Sequence, residues 1–264
     1  MATNSIVRRK VVSLLSRLTS SSAVALGTNS RHRVTGHAQR LQVISTSSAS
    51  KTERCKPTIM AYSKIKTFVP LVMETTGLPG DDGSLPDVIE LALIAVTRDQ
   101  IESRPLPIGQ QPRLTNRLLL CMSPMKTIED AAKELHKVDG SDLSSFKPMD
   151  VDVYNAIKSF LNRLPKPVCL VAHNGNQFHF PILRHELSKV SGDMPEVRAI
   201  DSKEFFMQTR EEPSYRLRSL ADKYLEKQQT WQAEKDAEIL MELVFFHLWK
   251  NDFTEWADAN SKDC

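Results

Sequence analysis

The run FVPLVMETTGLP at residues 68–79 constrains this chain more than any other stretch. It reads as a short apolar strand that stops at Gly77 and Pro79, with one acid, Glu74, near its carboxyl end. Side chains two apart on a strand point to the same face, so Val72 and Glu74 share a side. Further strand and helix patterns follow, which places this strand at the centre of a sheet. A carboxylate there is costly unless a metal or a hydrogen-bond donor meets it. Glu74 is therefore the first candidate for a functional site.

The patterns after it set the fold class. Residues 88–97 (VIELALIAVT) form a β-branched apolar run and predict a second strand, and residues 114–122 predict a third. Residues 101–112 carry three prolines and read as a loop. Helical spacing covers 128–138 and 151–164, the second ended by Pro165 and Pro167. Residues 168–172 (VCLVA) are wholly apolar, as expected of a buried parallel strand. A helix at 180–190, a fifth strand at 197–200 and closing helices at 215–226 and 233–249 complete the pattern. Three strands, then helices, then alternating strand and helix predict an α/β domain with a mixed five-stranded sheet flanked by helices.

Charge divides the chain of 264 residues in two. Residues 1–59 hold 10 Lys and Arg against the single acid Glu53, whereas residues 60–264 carry a net charge of −6. The first segment is rich in Ser and Arg, and Ile6, Val7, Leu14, Leu15 and Leu18 interleave with Arg8, Arg9, Lys10 and Arg17. That is the composition of a mitochondrial transit peptide; the alternative is a disordered tail or an upstream extension bypassed by a start at Met60, leaving the protein in cytoplasm or nucleus. The domain proper is expected at 60–264. Its acidic balance argues against strong non-specific attraction to nucleic acid, which depends on Lys and Arg neutralising phosphates. No apolar run is long enough to cross a bilayer. The four cysteines show no CxxC spacing and read as reduced thiols.

Four segments occur in order: METTGLP at 73–79, LVAHNG at 170–175 with FPIL at 180–183, SYRL at 214–217 and AEKD at 233–236. Together they resemble the TREX-type 3′→5′ exonucleases, the DEDDh branch of the ribonuclease H-like fold. WADA at 256–259 is similar to that family's last helix, so the likeness runs from about residue 64 to 260. The resemblance implies two divalent cations, Mg or Mn, about 3.5–4 Å apart, clamping the attacking and leaving oxygens of a phosphodiester. It also implies four carboxylates to hold them and a His to deprotonate the water.

Carried over residue by residue, that pattern is incomplete here. Glu74 and Asp236 match two of the metal-binding acids. Val72 stands where the first Asp belongs, His179 where the Asp before Phe180 belongs, and Trp231 where the His belongs. The resemblance thus implies a catalytically degraded relative. Three functions remain open: binding of a single-stranded nucleic acid or its 3′ end or of a partner, cleavage through an unusual metal site with His179 beside Glu74 and Asp236, or a purely structural module. His179 itself reads as a partly exposed helix-start residue bonded to one of the acids. In the family, the turn at Thr76, Gly77 and Leu78 holds the terminal nucleotide, and His173 and Asn174 lie at a strand end, where α/β sheets bind ligands. Arg210, Arg216, Arg218 and Lys223 read as a solvated charged face. Leu118, Leu119 and Leu120 predict an apolar sheet edge, through which TREX-like proteins form homodimers or pair with a related exonuclease.

Overall fold

The structure is a computed structural model that describes residues 63–103, 110–190, 192–247 and 249–264. The basic extension at 1–59, and any targeting role it has, lies outside the described residues. Strand β1 (Thr67–Thr75) runs through the middle of the sheet, antiparallel to β2 (Val88–Thr97) and parallel to β4 (Val168–Ala172). On one side β2 pairs with β3 (Asn116–Cys121); on the other, β4 pairs in parallel with β5 (Arg198–Asp201). The expected five strands are present, and a two-residue sixth, β6 (Lys262–Asp263), is added outside β5.

Period-two alternation along β1 splits the core across both faces of the sheet. Phe68 and Val72 join one apolar cluster, while Val69, Leu71 and Met73 join the other. The Val72 face is covered by α6 (Leu217–Leu225), α7 (Ala233–Phe245) and α8 (Lys250–Asn260). The opposite face is covered by α3 (Val151–Asn162) and α4 (Phe180–Lys189). Helix α7 is buried along most of its length, apolar from Ile239 to Phe245 apart from Glu242, and its packing on the sheet brings its N-terminal Asp236 down onto β1 and β2.

Four elements depart from the sequence reading. Residues 101–103, expected in a loop, belong to the short helix α1 (Arg98–Ser103), held because Ile101 is fully buried. Helix α2 (Asp130–His136) is shorter than expected. A further helix, α5 (Ser202–Thr209), starts directly from β5 because Asp201 caps it, accepting from Lys203 N–H at 2.9 Å. The segment expected as one helix over 233–249 ends at Phe245, and Trp249 turns the corner by donating from Nε1 to the Leu243 carbonyl.

Candidate active site

The site forms where β1 ends. A register shift between Glu74 and Thr75 breaks the β1–β2 ladder there, the kind of irregularity that re-aims side chains beside functional clefts. Glu74 lies directly opposite Glu90 on β2, and Glu90 opposite Cys121 on β3. Directly paired residues share a face, so sheet geometry supplies a second acid, Glu90, that the sequence did not reveal. Its only sequence signal was the polar interruption in VIELALIAVT.

Asp236 descends onto this row from the first turn of α7 and is 0% exposed. Its Oδ1 accepts from the Thr230 N–H at 2.9 Å and Thr230 Oγ1 at 3.3 Å. The Gln229 side chain and the Trp231 N–H also donate to this carboxylate. Oδ2 is buried without a partner among the described residues. Burial, then the charges of Asp236 and Glu90, push the Glu74 carboxyl up to about 8. Like charges crowded in low dielectric are relieved either by a proton or by a cation.

Neither cation of a pair finds its full set of ligands. Val72, 5% exposed, is packed into the core beneath α6 and α7. His179 closes a π-helical turn (Gly175–His179) and is buried, not partly exposed as expected. No hydrogen bond joins it to Glu74 or Asp236 among the described residues, its Nδ1 has no partner, and burial lowers its pKa to about 3. It is therefore a neutral imidazole, edge-on to Phe178 at 5.0 Å. Trp231 is half-buried with φ 59°, in the left-handed region. Among the described residues, no three His, Cys, Asp or Glu side chains are grouped to hold a metal ion. The donor set does not fit two divalent cations.

The nucleotide-turn residues fare unequally. Thr76 is fully engaged: N–H to Asp87 O, carbonyl to Glu129 N–H, and Oγ1 accepting from Asp87 N–H. His173 is likewise spent. Its Nε2 lies 2.7 Å from the Tyr215 carbonyl, which can only accept, so Nε2 carries the proton and Nδ1 accepts from Ser202 Oγ at 2.9 Å. Burial lowers its pKa to about 4. His173 thus braces the strand end, with both ring nitrogens engaged by Ser202 and Tyr215. Asn174 adopts φ 60°, which Asn tolerates, and its Oδ1 accepts from Lys203 Nζ at 3.0 Å. Gly77 and Leu78 keep their N–H groups free of hydrogen bonds among the described residues, and Leu78 is half-exposed. A Cβ on Gly77 would meet the exposed Glu129 carboxylate at 2.4 Å.

Asp201 organises the strand-end turn, and sequence reasoning missed it. Its carboxylate accepts from Asn176 N–H at 3.1 Å and Lys203 N–H at 2.9 Å, and from the backbone of Asn174 and Gly175. Gly175 is required there, since a Cβ would lie 2.5 Å from the Phe180 ring. Arg210 and Lys223 are committed to ion pairs with Asp252 and Glu212, in keeping with a structural charged face.

The sequence pattern of the exonuclease family matches residues 73–244. Three prime repair exonuclease 2 of Homo sapiens is 30% identical over 220 residues, covering 75% of this chain and 90% of that protein. Three-prime repair exonuclease 1 of Bos taurus is 39% identical over 132 residues, covering 47% of this chain but only 41% of that protein. Among solved structures, E. coli Exonuclease I in complex with a dA16 oligonucleotide superposes with a TM-score of 0.55 at 14% identity, covering 74% of this chain and 43% of that one. Cell-death related nuclease 4 superposes with a TM-score of 0.51 at 14% identity, covering 76% and 66%. At such identity these structures speak to the fold alone.

Proposed function

The chain belongs to the exonuclease family, and we propose that it has kept that family's fold while giving up two-metal cleavage, acting instead by binding a nucleic-acid end or a partner protein. The observation that carries this reading is the replacement of reacting groups at three positions: Val72 in the core, His179 buried and uncharged, and Trp231 in a left-handed turn. Loss of a general base alone costs about 10²–10⁴-fold in rate, and the missing carboxylates remove ligands as well. The relatives are named as exonucleases, and Exonuclease I is solved with a dA16 oligonucleotide. The unpaired N–H groups of Gly77 and Leu78 beside a half-exposed apolar side chain support retention of strand-end binding here.

The test is degradation of single-stranded DNA and RNA by the purified protein with Mg²⁺ or Mn²⁺, beside a binding assay on the same strands. Binding without degradation is expected. Degradation that disappears in Glu74→Ala overturns the reading. One observation favours a second reading, cleavage through a single unusual metal: the unpartnered Asp236 Oδ2 beside the crowded Glu74. That reading requires stoichiometric transition metal in the purified protein, and metal analysis finding none removes it. For the whole protein we further propose a homodimer, or a pair with a related exonuclease, through the β3 edge. Import into mitochondria is proposed for the long start, and cytoplasm or nucleus for a start at Met60.

A further inference from the structure

Residues 226–232, which join α6 to α7, are fastened to α7 at two separate points. Near the start, Lys227 Nζ lies 2.5 Å from Glu242 Oε2, a carboxylate whose side chain is almost wholly buried. Near the end, Gln229, Thr230 and Trp231 all donate to Asp236. Two non-glycine residues in the left-handed region bracket the segment: Glu226 at φ 53°, which closes α6, and Trp231 at φ 59°. A non-glycine residue in this region is strained and persists only where its surroundings hold it. The groups that hold it here are the two buried acids. Asp236 is also the acid that the family's pattern would give to a cation. Burial raises the Asp236 pKa above the ordinary carboxylate value, and the N–H and O–H donors on it work against that burial, favouring the charged form without any metal.

We propose that residues 226–232 form a latch, locked by Asp236 and Glu242, in which Thr230 occupies Asp236 Oδ1 in the place of a cation and leaves Oδ2 buried and unpartnered among the described residues. The latch rests on reading the site as one that has lost its metal pair. It turns Asp236 from a ligand into a positioning residue: cation capture at Oδ1 and the closed latch exclude each other.

Hydrogen exchange on the full chain, with and without millimolar Mn²⁺, tests this directly. In the wild type, the Thr230 and Trp231 amides should be protected, and Mn²⁺ should change neither their exchange nor the thermal midpoint. Asp236→Ala should speed exchange at both amides about tenfold or more, the loss expected for hydrogen bonds to a charged acceptor. Lys227→Met should speed exchange over residues 226–229 by a similar factor, and it carries the test alone if Asp236→Ala does not fold. The proposal is overturned if Mn²⁺ raises the wild-type midpoint and Asp236→Ala abolishes that rise. It is equally overturned if the segment exchanges alike in the wild type and in every variant that folds. No substrate is present, so strand cleavage in the separate nuclease assay would end the binding reading without deciding the latch.

Discussion

At Glu74 three influences act in one direction: burial, the charge of Asp236 and the charge of Glu90. With the folded value near 8 and the ordinary one at 4.5, the folded chain holds a proton that the unfolded chain releases. Stability from this group is full below about pH 4.5 and is lost as pH rises toward 8. Glu74→Gln removes the titration, so its thermal midpoint should gain on the wild type across that window, by at most about 1.4 kcal/mol per pH unit. A gap between the two proteins that does not change with pH would show that Glu74 is not crowded. His173 works in the opposite sense. Its folded value near 4 lies below the ordinary 6.5, so the unfolded chain takes the proton first and stability falls as pH drops from about 6.5 to 4. His173→Gln should flatten that acid limb in pH-dependent thermal melts while lowering the midpoint at pH 7. At this scale the sequence shows what is missing, since Val72, His179 and Trp231 are visible as wrong residue types at set spacings. It does not show what is present. Glu90 is brought to Glu74 by cross-strand register, and the burial of His179 follows from a π-helical turn that no local pattern announces.

The elements that were legible are those whose apolar content alone decides them. β2 and β4 appear at the expected residues because each is buried along nearly its whole length. Elements set by a single polar contact were not legible. Helix α5 has weak amphipathic patterning and exists where Asp201 caps it, and that same carboxylate gathers the backbone of the neighbouring 174–176 turn. Asp201→Ala therefore leaves donors from two elements without an acceptor. It should destabilise the fold by about 2–4 kcal/mol in denaturant unfolding, with faster amide exchange at Asn176 and Lys203. A loss confined to α5, with the 174–176 turn unchanged, would show that the two elements are not knitted through this residue.

Across the molecule, the sheet of the described residues ends on one side at the long strand edge of β3. Among the described residues β3 pairs with β2 on one side only, and Leu119, 45% exposed, lies on it beside the exposed Cys121. An apolar edge of this kind favours pairing with another chain. The wild type should sediment as a dimer and Leu119→Lys as a monomer; a monomeric wild type removes the proposed interface. The same sheet carries the most demanding prediction, because it tests whether the cleft differs from an active one only at its reacting positions. Val72→Asp alone buries a carboxylate in the core and should destabilise the protein markedly. Combined with His179→Asp and Trp231→His, it joins Glu74 and Asp236 in a set of four acids with an imidazole, the donor chemistry that suits hard divalent cations. Mn²⁺ should then restore thermal stability to the triple variant while leaving the wild-type midpoint unmoved, and single-stranded DNA should be degraded only with the ion present. A triple variant that folds but shows neither the Mn²⁺ shift nor cleavage would mean that the cleft has diverged in its backbone as well, with residues 226–232 the first segment to remodel.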